Sequence, residues 1–153
     1  MRRLCENLLL MAAAHVRAML VNPWDVGVAA IVEQAGRVAL VRHSYKSGWL
    51  FPGGGVGRGE PPAEAIMREL KEEIGLAQSA PPQLLGVYAR RRGWLTNLIL
   101  LYRVREAVFV FKPNWEIREI RLADPLNPPP GTGPAICRRF KELIGEAPPS
   151  DRW

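Results

Sequence analysis

The stretch GGGVGRGEPPAEAIMRELKEEIGL, residues 53–76, constrains this 153-residue chain more than any other. It opens with three successive glycines and then carries Glu60, Glu64, Glu69, Glu72 and Glu73 through a segment of helical periodicity over residues 61–75. Projected at about 100° per residue, Ala63, Ile66, Met67, Leu70 and Ile74 gather on one stripe. Glu69, Glu72 and Glu73 gather on the stripe beside it, related by i, i+3 and i, i+4 steps that let three carboxylates converge. Arg68 stands four residues before Glu72, within pairing reach. The apolar stripe has to be covered by a sheet or another helix. The acidic stripe repels itself and has to be offset.

The segments on both sides supply strands. WDVGVAAIVEQAGRVALVRH reads as two, with Val26, Val28, Ala30 and Val32 alternating and a short turn at Gly36. WLFP reads as a short strand that Pro52 ends. QLLGVYARRR and LTNLILLYRVRE are strands joined around Gly93. AVFVF is a further stretch closed by Pro113, and WEIREIRLAD is a strand or a loop leading into one. AICRRFKELIG is a closing helix with Ile136, Phe140, Leu143 and Ile144 on one face and Gly145 as its stop. The order predicts an α/β or α+β domain, a mixed sheet with helices packed on it, over residues 23–146. Residues 1–22 are expected to form an extra N-terminal helix, and residues 147–153 a frayed tail.

Composition narrows the function. A chain with 48% hydrophobic and 24% charged residues is an ordinary globular one, long enough for a core without disulfides. Cys5 and Cys137 are far apart and read as free thiols of a reducing, cytoplasmic setting. Two histidines, His15 and His43, give no zinc-ligand cluster. The net charge of +6 favours anionic partners. No basic run with interleaved aromatics marks specific nucleic-acid binding, so small nucleotides are the expected partners. The first 20 residues are too interrupted by Glu6, His15 and Arg17 to span a bilayer. A surface membrane or partner contact through them, or a cleaved signal, stays open beside the extra helix.

Converging carboxylates call for a hard divalent cation held by oxygen, with Mg²⁺ the best match and Mn²⁺ acceptable. Gly53, Gly54 and Gly55 permit close backbone approach and a carbonyl ligand. RELKEE taken alone also suits a solvated helix face. The spacing goes further. From Gly54 there follow five residues, Glu60, seven residues, Arg68-Glu69, apolar Leu70, one residue, Glu72-Glu73, one residue, Gly75 and apolar Leu76. This resembles the Nudix box at every fixed position, and the flanking strands resemble the Nudix fold over about residues 24–145.

The resemblance implies hydrolysis of a nucleoside diphosphate linked to another moiety. It implies Glu69 and Glu73 as principal metal ligands, Glu72 as a further one or acting through water, and the Gly53 carbonyl completing the set. Arg68 would orient Glu69, and Glu60 would brace the loop. The general base would be a box glutamate or a later acid, Glu116 first and Glu119 second. From their place in the chain, Arg42, His43 and Lys46, just upstream of the glycines, are candidates to meet phosphate or else solvated surface, and Arg90 with Arg91 and Arg92 is a like candidate or else an exposed basic turn. Trp49 and Trp94 read as core before base-stacking. Pro61-Pro62 replaces the Ser or Thr helix cap common in the family, which stiffens the start of the helix without changing chemistry.

Marks of the ADP-ribose, dinucleoside-polyphosphate and coenzyme A sub-families are missing, which favours a nucleoside triphosphate or another diphosphate. A catalytically silent nucleotide-binding or regulatory domain is the alternative, and it is expected to have lost one of Glu69, Glu72 or Glu73. An adaptor acting through the first 20 residues is a third reading. A homodimer stays open.

Overall fold

The computed structural model describes residues 24–93 and 95–153. The extra N-terminal helix, Cys5, His15 and Trp94 lie outside the described residues. Among the described residues, seven strands and two helices follow in the order β1 (Trp24–Gln34), β2 (Arg37–His43), α1 (Pro62–Ile74), β3 (Leu76–Gln78), β4 (Gln83–Arg92), β5 (Leu95–Val104), β6 (Val108–Phe109), β7 (Ile117–Ala123) and α2 (Pro134–Leu143). The main sheet has the order β4-β5-β1-β2-β7, and β3 and β6 form a separate pair. β1 runs parallel to β5, whereas the other neighbours are antiparallel. This is the expected mixed sheet between helices.

Both faces of the sheet are covered, so its central strands are apolar throughout rather than alternating. Val28, Ala30 and Val32 of β1 pack with Val41, Val104 and the α1 residues Ala65, Ile66, Leu70 and Ile74. The intervening Ala29 and Ile31 face the other way, towards Leu40, Leu101, Ile136 and Phe140. Period-two alternation divides each strand between two cores. The buried stripe of α1 passes through Ala65 and not through Ala63, which is exposed. Trp49 is fully buried, in keeping with a core role.

α1 has no side-chain cap. Pro61 and Pro62 preset its first turn, and Gly75 ends it in the left-handed conformation at φ 69°, its N–H returning to the Lys71 carbonyl. WLFP is not a strand but a pair of isolated bridges, Val41 with Leu50 and Trp49 with Thr132. WEIREIRLAD does form an edge strand, β7. No helix among the described residues is long and apolar enough to cross a membrane.

The tail departs from the expectation of fraying. The Ala89 N–H donates to the Asp151 carbonyl at 2.7 Å, and the Trp153 N–H donates to the Ala89 carbonyl at 3.0 Å. The tail thus lies along β4 as a parallel bridge. The buried Arg139 adds a hydrogen bond from Nη1 to the Arg152 carbonyl at 2.9 Å. An arginine within a helix pattern gives no sign that it will be buried to hold a later segment.

β1 and β2 pair only at their turn, Glu33 with Val38 and Gln34 with Arg37. Beyond it they part, and the loop over residues 49–56 fills the gap. On one side Val41 and Leu50 exchange hydrogen bonds at 2.8 and 3.0 Å. On the other, the N–H groups of Ala30 and Val28 donate to the carbonyls of Pro52 and Gly54, each at 2.9 Å. Gly53 sits inside this wedge at φ +144°, where a Cβ would run into the Val28 carbonyl and lie 2.8 Å from the Ala29 Cα. Both obstacles are backbone of a central strand. Gly53→Ala is therefore expected to cost about 2–5 kcal/mol, read as a lowered urea midpoint; a midpoint equal to wild type would show that the wedge is not rigid.

Candidate functional site

α1 presents its acids to the wedge. Glu73 lies on the edge of the apolar stripe and is buried, 3% exposed. Its Oε2 accepts the Gly53 N–H at 2.7 Å, while its Oε1 is buried without a hydrogen-bond partner among the described residues. Burial pushes its pKa up to about 8; the Gly53 hydrogen bond opposes this, and the charges of Glu69 and Glu116 add to it. A buried carboxylate with one oxygen unsatisfied is costly unless a cation or proton meets it.

Arg68 organises the other acids. Its Nε and Nη2 grip Glu60 at 2.9 and 3.0 Å, its Nη1 reaches Glu69 Oε1 at 2.7 Å, and its Nη2 also donates to the Gly55 carbonyl at 3.1 Å. Glu72, 60% exposed at its side chain, is a looser partner at 3.4 Å. The Arg68 hydrogen bonds, helped by the Gly57 N–H, hold the Glu60 pKa down to about 2, and the hydrogen bonds to Glu60 and then Glu69 raise that of Arg68. Glu60 is thus committed to bracing Arg68 and the loop. Gly54 makes room for Glu69: a Cβ there would lie 2.5 Å from its carboxylate.

The opposite wall comes from the far ends of β2 and β7. A register shift between Arg42 and His43 brings Glu116 beside His43. The Asn114 side chain accepts the Glu116 and Ile117 N–H groups at 2.9 and 2.7 Å and fixes that turn. His43 is buried, with Nε2 3.8 Å from Glu73 and Nδ1 3.9 Å from Glu116. Desolvation first, and then Lys46, lower its pKa, while Glu116 opposes them. The imidazole is therefore neutral near pH 7, and these contacts are not ion pairs. The Tyr45 hydroxyl donates to Glu116 Oε1 at 2.8 Å; its pKa is raised to about 12 by burial first and then by that bond.

His43, Glu73 and Glu116 place one ligand atom each within 4.8 Å of one another. The set is oxygen-rich, with one neutral imidazole, and it holds the orphaned Glu73 Oε1. Hard-cation chemistry fits these residues.

A cleft of about 620 Å³ is lined by His43 and Glu116, whereas Glu73 and Arg68 are not among its lining residues. Glu69, Glu72, Glu116, His43, Lys46, Gly53 and Arg90 of the expected set line it, together with Tyr45, Asp25 and Asn97, which were not anticipated. Arg42 and Glu119 are not among its lining residues. They pair with each other at 3.1 Å, and the Arg42 guanidinium lies over the Trp49 ring. Strand alternation sends Arg42 to the face opposite His43, which adjacency in sequence conceals. Arg90 donates to Asn97 at 3.3 Å. Asp25 and Asn97 meet only through the parallel β1–β5 pairing, for which the sequence holds no local signal.

Acids gathered beside a glycine loop, in the split of a mixed sheet, form a set whose chemistry fits a divalent cation. The chain belongs to the Nudix family: the NUDIX domain model matches residues 22–128. It is similar to the RNA pyrophosphohydrolase of Marinomonas sp. (strain MWYL1), 31% identical over 104 residues, which are 65% of this chain and 62% of that one. It is also similar to that of Hahella chejuensis (strain KCTC 2396), 45% identical over 60 residues, 39% of this chain and 35% of that one. These matches span less than two thirds of the relatives' length.

Among solved structures, a MutT Nudix hydrolase from Burkholderia pseudomallei aligns with a TM-score of 0.69 at 21% identity, covering 78% of this chain and 98% of that one. The MutT protein from Methanosarcina mazei Go1 aligns at 0.66 and 23%, covering 83% and 96%. At such identities the likeness is one of fold.

The Glu73 shift predicts how the metal-free protein responds to pH. A carboxyl raised from 4.5 to about 8 keeps its proton in the folded chain where the unfolded chain has lost it. Its contribution is full below pH 4.5 and is lost as pH rises through about 8. The melting temperature in chelator should therefore fall between pH 5 and 8, by roughly the linkage slope of one proton. Mg²⁺ should raise it more at pH 8 than at pH 6. Scanning fluorimetry checks both, and a metal response independent of pH would contradict the assignment.

Proposed function

We propose that this chain hydrolyses the diphosphate bridge of a nucleoside diphosphate derivative, with a nucleoside triphosphate as the favoured class. Mg²⁺ or Mn²⁺ would be held by Glu69, Glu73 and Glu72 with a backbone carbonyl. The observation that carries this reading is Glu73, buried, with Oε2 fixed by Gly53 and Oε1 unpartnered beside other acids. The Gly54 and Gly55 carbonyls already accept from Val28 and Arg68, so the Gly53 carbonyl is the one assigned as a ligand. His43, anticipated as a phosphate contact, is read instead as a buried neutral neighbour of Glu73 and Glu116.

When bound, the cation neutralises the bridging phosphates and acidifies a water. The chain's own residues do the rest. Arg68, locked by Glu60, fixes the Glu69 carboxylate. Lys46, at the cleft wall, meets phosphate charge. Glu116 accepts the proton of the attacking water; the Tyr45 hydrogen bond holds its carboxylate at the cleft. Glu72, the most exposed of the acids, stands ready at the solvent side.

A second reading follows from the relatives, which are RNA pyrophosphohydrolases. Tyr45, which lines the cleft and bonds Glu116, is 59% exposed, and Trp115, next to Glu116 in the chain, is 83% exposed. Exposed aromatics on a basic protein suit stacking by the first bases of an RNA carrying a 5′-triphosphate.

Nucleoside triphosphates, nucleoside diphosphate derivatives and 5′-triphosphorylated RNA are to be incubated with Mg²⁺ or Mn²⁺, and released phosphate and pyrophosphate measured. Turnover of at least one is expected. Glu73→Gln should lose about 100-fold or more in kcat/KM while melting no lower than wild type at pH 8, since it removes a charge burial disfavours. Arg68→Lys should weaken metal affinity about 10- to 100-fold, because a lysine cannot grip Glu60 and Glu69 together. No turnover of any substrate, or an active Glu73→Gln protein, sinks the hydrolytic reading.

A further inference from the structure

The cleft does not end at the acids. It continues through the wedge to the face covered by α2, where Asp25, Asn97, Ile136 and Trp153 line it. Asp25, Asn97 and Arg90 form one row across β1, β5 and β4. Asn97 is buried, and both ends of its amide are engaged. Nδ2 donates to the Asp25 carbonyl at 3.3 Å and to Asp25 Oδ2 at 3.2 Å, and Oδ1 accepts from Arg90. The amide cannot flip without losing these bonds, so it acts as a fixed spacer that sets the Asp25 carboxylate. Asp25 itself is exposed. A carboxylate offers about four lone-pair positions, and Asn97 uses one.

Trp153 forms the neighbouring wall, and the structure holds it firmly. Its N–H bonds the Ala89 carbonyl, its ring meets the edge of Tyr88 at 5.7 Å, and the Arg139 guanidinium lies over both rings. Arg139 is 1% exposed and is paired with Glu142 at 2.6 Å. Burying a charged group to fasten a peptide end is expensive, and the segment it fastens carries an aromatic ring into the cleft. Arg139, Glu142 and Trp153 all lie beyond residue 128, where the family match stops.

We propose that residues 151–153 and the Asp25–Asn97–Arg90 row form a base-recognition subsite selective for guanine. Trp153 supplies a flat apolar wall for a planar base. Asp25 accepts from an edge with two adjacent N–H donors. Guanine N1–H and N2–H₂ supply that edge. Adenine and cytosine put a ring acceptor beside the amine, and uracil flanks its single N–H with carbonyls. The inference rests on the nucleotide reading above and narrows it to guanosine phosphates.

The test is calorimetric binding with Mg²⁺, using the non-hydrolysable α,β-methylene analogues of GDP and UDP, with methylenediphosphonate as the base-free probe. Wild type is expected to bind the guanosine analogue about tenfold tighter than the uridine one. Asp25→Asn should abolish that preference. Trp153→Ala should weaken both nucleotides about tenfold relative to methylenediphosphonate, with Trp153→Phe recovering most of the loss.

Should Trp153→Ala fail to fold, Asp25→Asn, at an exposed position, still carries the test. Equal affinity for the two analogues in wild type, no binding of either, or an unaltered preference in Asp25→Asn overturns the proposal. Guanosine preference in a protein that hydrolyses nothing leaves the subsite standing and removes the hydrolytic reading. Turnover of guanosine and uridine nucleotides with equal KM removes the subsite and keeps the hydrolysis.

Discussion

The parting of β1 from β2 is the constraint on which the site depends. Two adjacent antiparallel strands would ordinarily satisfy each other's backbone along their length. Here they do so only at the turn, and each then needs another partner. The loop over residues 49–56 is that partner, hydrogen-bonded to β2 through Leu50 and to β1 through Pro52, Gly54 and Val56. A backbone threaded between two strands has no room for side chains on its inner side, which is why Gly53 stands at the tightest point. The same wedge opens the interior to solvent, so buried groups of α1 and exposed ligands meet there.

The wedge and the acid helix then fix each other. The Gly53 N–H, unable to join a full ladder, donates to Glu73. Arg68 ties the helix back to the loop through the Gly55 carbonyl and Glu60, and Glu60 returns to the loop through the Gly57 N–H at 2.7 Å. Loop and helix are held by charge-assisted bonds at three points, a stiffness that neutral contacts would not provide. Arginine is suited to this because its planar fork serves Glu60, Glu69 and a carbonyl at once.

Much of this arrangement was legible in the chain. The i, i+4 spacing of Ile66, Leu70 and Ile74, and the offset of Glu69 and Glu73, identified the helix and both its faces. Val, Ile and Leu runs located the long strands. What stayed hidden depends on contacts between distant segments. Nothing local announces that β1 lies parallel to β5, so Asp25 and Asn97 could not be paired in advance. Arg42 and His43 look equivalent in sequence, yet one stacks on Trp49 and the other is buried against Glu73. Glu116 and Glu119 are three residues apart, and the bulge with β2 sends only Glu116 to the cleft. The tail composition EAPPSDRW reads as loose because its anchor, Arg139, belongs to another element.

Stability and function pull against each other at Glu73, and the direction can be worked out. A leucine at this position would complete the apolar stripe of α1 and cost nothing in desolvation. The chain keeps a carboxylate instead, next to Glu69, Glu116 and a neutral imidazole, with one oxygen unsatisfied. Burial first, and then the surrounding acids, raise the energy of the charged form, so below about pH 8 the metal-free chain holds a proton there instead. Under the proposed function, part of the cation's binding free energy would go to displacing that proton. The +6 chain around it presents the opposite sign to phosphates. On the proposed function, an acidic focus within a basic protein would draw metal and polyphosphate to the same point for opposite electrostatic reasons.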